Sequence, residues 1–240
     1  MKYKYLLDTH THTIASGHAY NTISEMIASA KAKGLSLLAI TEHAPNMLGT
    51  CHAIYFQNLK VLRREYDGLE VLFGAELNIL DKEGNIDLDP YSLAELDIGI
   101  ASMHQPCYNP GTIEENTVAY ERVMKNPYVN IIGHPDDGRF PVDFERLVKA
   151  AKENHVLLEL NNNSLNPKSY RSNTKENDLK MLKLCKENDV PIVLGSDAHV
   201  ADDILFFDYA QEIIDMVEFP QELIANTSVE MLKSFLNRKK

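Results

Sequence analysis

Short runs of leucine, isoleucine and valine recur along the chain, and between them lie longer stretches in which apolar residues return every three or four positions. The short runs predict seven strands: Tyr5–Asp8, Leu35–Thr41, Glu70–Ala75, Ile98–Ser102, Val129–Gly133, Val156–Leu160 and Ile192–Gly195. Most are apolar without interruption, as parallel strands buried on both faces should be. The longer stretches predict helices over Thr22–Lys33, His52–Tyr66, Thr112–Lys125, Val142–Asn154, Thr174–Glu187, Asp202–Val217, Gln221–Asn226 and Val229–Leu236. Thr22 and Glu25 form a capping box, Gly34 stops the same helix, and Ser228 caps the last one. Repeated strand–helix units with short loops predict an α/β fold, a single domain over residues 1–240. Seven such units fit a closed or nearly closed (β/α) barrel better than an open doubly wound sheet.

Composition narrows the class. The chain has 240 residues, 44% apolar and 25% charged, which is ordinary for a globular protein and long enough to need no disulfide staples. The formal charge of −11 repels polyanions, so long nucleic acid and anionic membrane are excluded as partners on electrostatic grounds. Cys51, Cys107 and Cys185 are odd in number and form no CxxC pair, as in a reduced, cytoplasmic protein. Met1–Leu7 has no signal-peptide pattern, no run approaches the roughly 20 residues of a membrane span, and Arg238-Lys239-Lys240 is a short solvated basic tail.

The chemistry lies in the nine histidines. Active sites of α/β proteins gather at the C-terminal ends of the strands. Strand one ends in Asp8-Thr9-His10-Thr11-His12, with His18 in the next loop. The next ends are Glu42-His43, Ala75-Glu76, Met103-His104, His134-Pro135 and Asp197-Ala198-His199. Residues i and i+2 of a strand share a face, so His10 and His12 can reach one metal together. Seven histidines, one Glu and one Asp therefore fall at one end of successive strands, more donors than one ion needs. His52 and His155 fall elsewhere and read as structural or solvent-facing. Asp8 shares the face of His10 and suits either an acceptor from a ligand imidazole or a purely structural role.

The elements Asp8-x-His10-x-His12, His18, Thr41-Glu42-His43, Glu76, His104, His134-Pro135 and Asp197-x-His199 resemble the PHP (polymerase and histidinol phosphatase) superfamily. The segments Ala39–Pro45 and Leu158–Asn162 are closest to its YcdX-type phosphatase branch. Glu42 stands where the family commonly has aspartate, next to the ligand position His43. The resemblance implies a distorted (β/α)7 barrel with a three-ion centre at its C-terminal mouth. His10, His12, Glu76 and Asp197 would hold the first ion; Glu76 would bridge to a second with His104 and His134; His18, His43 and His199 would hold a third. Three divalent ions are implied, zinc first, manganese or iron otherwise; the nitrogen-rich set disfavours magnesium and calcium.

The implied activity is hydrolysis of phosphomonoesters of small molecules by a metal-bridging hydroxide, as in a histidinol-phosphatase-like enzyme. This dispenses with a serine or cysteine nucleophile. The metals would make the pocket locally positive inside an acidic chain, which suits a small phosphorylated substrate. Arg171 is the first choice for a phosphate contact, with Lys168 and Arg139 behind it; the leaving group's proton would come from Asp197 or a metal-bound water. Asn161-Asn162-Asn163-Ser164 reads equally as a turn or as site polar groups, and the loops Pro45–Ala53 and Asn162–Lys175 would set specificity. Two alternatives remain, a phosphodiesterase or exonuclease on the same scaffold and a non-catalytic metal-binding module. The apolar face of the C-terminal helices suits a homo-oligomer interface as well as core packing.

Overall fold

A strand buried on both faces sends every second side chain to one side of the sheet. Here that parity divides the molecule into an inside and an outside. The computed structural model describes residues 3–236; Met1, Lys2 and the basic tail Arg238-Lys239-Lys240 lie outside them. Seven parallel strands run in sheet order β1 (Leu7–Asp8), β2 (Leu37–His43), β4 (Leu69–Asn78), β5 (Ile98–Ser102), β6 (Ile131–Ile132), β7 (Leu157–Asn161) and β8 (Ile192–Gly195). Helices α1 (Ile23–Ala32), α4 (Ile113–Val123), α5 (Phe144–Asn154), α6 (Thr174–Glu187) and α7 (Asp208–Val217) flank the sheet, with short α2 (Ala53–Gln57) and α3 (Pro90–Ala94) between them. This is the (β/α)7 arrangement expected, a sheet nearly closed into a barrel.

Outward residues such as Leu38, Ile40, Phe73, Leu158 and Leu160 form one large core with Met26, Leu147, Val148, Met181 and Ile214 of the helices. Inward residues Leu7, Leu37, Leu72, Ile98, Ile131, Leu157 and Val193 form a second, smaller core inside the barrel. Helix α8 (Val229–Leu236) seals its floor with Leu232 and Phe235. Following the inward positions upward, Leu72 gives way to Gly74 and Glu76, Leu157 to Glu159, and Val193 to Gly195 and Asp197. The barrel is thus apolar at its floor and polar at its mouth, and a Cβ on Gly195 would overlap the Glu159 carboxylate.

The seam between β1 and β8 is closed without a full ladder. At the mouth, His12 N donates to Ala198 O at 2.9 Å. At the floor, buried Asn226 serves in place of strand pairing: its Oδ1 accepts from Leu194 N (2.7 Å), and its Nδ2 donates to Leu7 O (3.1 Å) and Leu194 O (2.9 Å).

The structure departs from the sequence expectation in four places. β2 and β4 run on to His43 and Asn78, so Glu42, His43 and Glu76 lie within strands rather than just beyond them. The helix expected over His52–Tyr66 stops at Gln57, followed by a 3-10 turn (Leu59–Val61) and strand β3 (Glu65–Tyr66), antiparallel to β4. Arg64 takes Leu59 O and Leu62 O, carbonyls a helix would use itself, and Asp67-Gly68, both with positive φ, make the two-residue hairpin turn that dipeptide favours. The helix expected from Asp202 begins only at Asp208, because Asp8 Oδ2 captures Leu205 N at 2.9 Å. Gln221–Asn226 forms two 3-10 turns, Gln221–Leu223 and Ala225–Thr227. No described helix is long and apolar enough to cross a membrane.

Replacing Asn226 with alanine leaves Leu194 N and two carbonyls unpaired in the floor. It should lower unfolding stability by about 3 kcal/mol. Urea unfolding checks this, and an unchanged midpoint would remove Asn226 from the closure.

Candidate metal centre

Every expected donor comes to the mouth, most of them by strand parity. His10 and His12 continue β1, His43 ends β2, Glu76 lies in β4, His104 and His134 stand two residues past β5 and β6, and Asp197 stands two past β8. His18 and His199 enter from the adjoining loops. The rings crowd together: His12 lies 4.3 Å from His43 and 4.5 Å from His199 between centroids, and His18 lies 4.8 Å from His43. His134 and Asp197 take positive φ (31° and 54°), a costly backbone for non-glycine residues and one that concentrates at functional sites.

The atoms that converge are unpartnered. His10 Nε2, His12 Nε2, His43 Nδ1, His104 Nε2 and Glu76 Oε2 are buried and lack hydrogen-bond partners. Their spacing is informative. Glu76 Oε2 lies 3.4 Å from His10 Nε2 and 3.6 Å from His12 Nε2, and Asp197 Oδ1 lies 3.3 Å from His12 Nε2 and 3.8 Å from His10 Nε2. These separations are long for hydrogen bonds, yet four donors around one tetrahedral zinc stand roughly 3.3 Å apart. Glu76 is the hub: its Oε1 lies 2.8 Å from His134 Nε2 and 3.1 Å from His104 Nε2, and its Oε2 lies 2.7 Å from His43 Nδ1. Three overlapping sets could each hold an ion: His10, His12 and Glu76; His43, Glu76 and His104; His12, His43 and His199. The residues fit metal ions in donor chemistry and in their lack of other partners.

The far ring nitrogens explain why the near ones are free. His10 Nδ1 lies 2.7 Å from Glu159 Oε1, whose other oxygen accepts from His134 N (2.8 Å). Ser16 Oγ donates to Glu42 Oε2 (2.6 Å), so its oxygen accepts from His12 Nδ1 at 3.1 Å. Asn78 Nδ2 donates to Asp87 (2.6 Å), which turns its Oδ1 to His104 Nδ1 at 2.8 Å. In each case an acceptor is placed to hold a proton on Nδ1, and Nε2 faces the cluster. Glu159 was not singled out as a site residue from sequence, although an acid within the apolar run Val156–Leu160 is a visible anomaly. Glu42 likewise has a definite role, anchoring Ser16 and Thr13. Asp8 does not accept from an imidazole: it takes Ser196 N (3.2 Å) and Leu205 N (2.9 Å) and is structural.

Electrostatics favour ionised carboxylates and neutral His12, His18 and His104, while the acids around His10 favour its charged form. Burial raises the carboxyls of Glu76 and Asp197, but His104, His10 and His43 around the first, and His10, His12 and Arg171 around the second, outweigh it and hold both well below the usual range. Burial, reinforced by neighbouring His43 and His199, pushes His12 well down and His18 down; burial also lowers His104. Burial lowers His10 too, but Glu159, Glu76 and Asp197 raise it well above its ordinary value. These neighbours favour the ionised form of Asp197.

A cavity of about 760 Å³ opens beside the cluster, lined by Arg171, Arg139 and Lys168, all expected near phosphate, and by Met47 and the segment from Asn163 to Tyr170. Arg171, 7% exposed, bonds Asp197 Oδ2 (3.1 Å), Asn161 Oδ1 (3.1 Å) and Ser164 Oγ (2.9 Å). The Asn161–Ser164 loop is thus both a turn and the holder of this guanidinium. Asp136 and Asp178 are also buried, with all four carboxylate oxygens unpartnered. Burial pushes Asp136 up to about 7 and Asp178 well above its usual value, with Arg171 opposing. Of the two histidines set aside, His52 is exposed beside α2 and His155 stacks on Phe235 at 4.0 Å.

Comparison with known proteins extends these observations. The PHP domain model matches residues 8–235. A probable phosphatase of Clostridium novyi is 49% identical over 98% of this chain and 96% of its own length. Another from Acetivibrio thermocellus is 44% identical over 99% and 97%. In fold, the chain is similar to histidinol phosphate phosphatase from Lactococcus lactis, solved with zinc, L-histidinol and phosphate: TM-score 0.62, 21% identity, 90% of this chain and 95% of that one. A putative histidinol phosphatase from Listeria monocytogenes gives 0.60 at 20% identity, covering 82% and 97%.

Two outcomes follow from the geometry. Glu159→Gln removes the charge that orients His10 and should weaken zinc affinity about 10- to 100-fold in a chelator-competition titration; unchanged affinity would leave Glu159 with no such role. For the buried pair, pKa values raised on folding mean that their stability contribution is complete below about pH 4 and is lost as pH rises toward about 7. Asp178→Asn should therefore exceed the parent in stability at pH 7.5 and lose that advantage near pH 4, as read by denaturation at both pH values.

Proposed function

Because the chain belongs to the PHP domain family, we propose that it is a phosphatase, a metal-dependent hydrolase of phosphomonoesters of small molecules. His10, His12, His18, His43, Glu76, His104, His134, Asp197 and His199 would hold three divalent ions, zinc first. The observation that carries the reading is the convergence of unpartnered imidazole nitrogens on Glu76 and Asp197, each proton held on the far nitrogen of His10, His12 and His104 by a separate acceptor. A cluster built only for stability would not leave these buried atoms unpaired. The relatives named as probable phosphatases support the reaction class. The zinc, phosphate and histidinol of the Lactococcus lactis structure support the metal and the scale of substrate.

Divalent ions there would acidify water at neutral pH and neutralise charge on the phosphoryl oxygens. The chain's own residues do the rest. Glu76, 1% exposed and ionised, spans the cluster with both oxygens and fixes its centre. Asp197 faces the cluster through Oδ1 and Arg171 through Oδ2, tying the phosphate-binding side to the donor side. Arg171, held by Asn161 and Ser164, offers a preorganised cation to the phosphate of the ester, the arrangement that stabilises charge developing in the transition state. The floor core and the surrounding strands keep water from the far side of the cluster.

The test is a metal assay coupled to a phosphomonoester panel that includes histidinol phosphate. Two to three ions per chain are expected, with phosphate release abolished by chelation and reduced at least 100-fold in His10→Ala and Glu76→Ala. Arg171→Ala should raise KM for phosphomonoesters about tenfold or more. Cleavage of diesters alone would replace this reading with a phosphodiesterase, and full activity after chelation would overturn it.

A further inference from the structure

The cavity beside the donor cluster carries an uneven charge. Its lining has three cationic side chains, Arg139, Lys168 and Arg171, and one carboxylate, Asp197. Asp197 and Arg171 are committed to each other and to the cluster at the inner end. At the outer end Arg139 is held in place by buried Asp137 through Nε (2.9 Å) and Nη2 (2.5 Å) and by Gln105 through Nη1 (2.8 Å), and it stacks on Tyr170 at 4.6 Å. Lys168 differs: it is exposed, lines the cavity and has no ion pair among the described residues. The turn that presents it is fixed from within. Lys168 N donates to Asn166 Oδ1 (3.0 Å), Ser169 N to Asn166 O (2.7 Å), and Arg171 N to Ser169 Oγ (3.2 Å). One rigid turn therefore carries both the inner cation, Arg171, and the outer one, Lys168.

The leaving group of a phosphomonoester bound with its phosphate at Arg171 and the cluster would extend into the same cavity, which this turn lines. A leaving group bearing an ammonium would meet Lys168 and no free carboxylate in the lining. An uncharged one would leave Lys168 unused. We infer that the substrate's leaving group carries an anionic group of its own, a carboxylate or a second phosphate, which Lys168 receives at the cavity mouth while Arg171 takes the ester phosphate. This inference rests on the phosphatase reading above. Lys168 is a specificity residue in it, acting on which ester binds rather than on the bond that breaks. The leaving group departs as its alcohol, the phosphoryl group passing to water.

The test compares esters of equal length whose leaving groups differ in charge: phosphoglycolate, ethyl phosphate and phosphoethanolamine, with 1,2-ethanediol bisphosphate as the doubly phosphorylated arm. The readout is the ratio of kcat/KM values on one preparation, in which metal loading cancels. Phosphoglycolate or the bisphosphate should exceed phosphoethanolamine by about five- to tenfold, carried by KM and reduced in 0.5 M salt. The better of the two anionic esters identifies the recognised group. Lys168→Gln should bring the ratio to about twofold, and Lys168→Glu should invert it. Calorimetry with two uncleavable analogues, 3-phosphonopropionate and 3-aminopropylphosphonate, should show the same preference without turnover. Equal kcat/KM for the anionic and cationic esters, or a ratio unmoved by Lys168→Glu, overturns the inference while leaving the phosphatase reading intact. If no monoester is hydrolysed, the phosphatase reading fails, and equal binding of the two phosphonates then overturns the charge preference as well.

Discussion

An ionised carboxylate buried among imidazoles is the constraint on which the rest of this molecule depends. Glu76 sits within the barrel mouth with one oxygen unpartnered and five histidine rings against it. A charge so placed is tolerable only if its surroundings supply compensating charge or lone-pair acceptors in fixed positions. The structure answers with a ring of supports one layer out: Glu159 behind His10, Ser16 and Glu42 behind His12, Asn78 and Asp87 behind His104. Each support fixes one ring orientation, and the Nε2 atoms of His10, His12 and His104 are left without hydrogen-bond partners. Removing a support releases a ring, and the cluster can then satisfy itself by collapse.

The barrel makes this arrangement cheap in sequence terms. Because parity sends alternate residues inward, a strand needs only apolar residues at its lower inward positions and a polar one near its end. Glycine at 195 clears the space Glu159 occupies, so a carboxylate can stand at mid-depth below the mouth and reach His10 from beneath. Depth is thereby ordered: apolar floor, supporting carboxylate, donor atoms, cavity.

Much of this was legible in the sequence, and the exceptions have physical causes. The seven parallel strands announce themselves as apolar runs, and the donors announce themselves because histidines at successive strand ends are rare by chance. Asp8 was open to misreading because the i, i+2 rule assumes a strand, and β1 ends at Asp8; beyond it the chain turns that carboxylate to Ser196 and Leu205. Glu159 obeys parity with Leu157 but its partner lies 149 residues away, which no local pattern encodes. Asp178 carries a readable signal: it lies on the helical stripe with Met181, Leu182 and Cys185, all buried, so its burial follows from spacing alone. Strand β3 was likewise signalled by Asp67-Gly68, where helical spacing in the preceding residues competed with the turn.

The seam closed by Asn226 also sets an order of assembly. β1 carries His10 and His12, while its neighbours across the seam, β8 and the Asn226 turn, are made nearly two hundred residues later. During synthesis the early strands can stack in sequence, but the ring cannot join until the last tenth of the chain emerges. Until then the histidine pair faces a wall whose floor lacks the Asn226 turn. An ion captured by the finished mouth would link the first strand to the last and act as a clasp on the ring, coupling retention of metal to retention of closure.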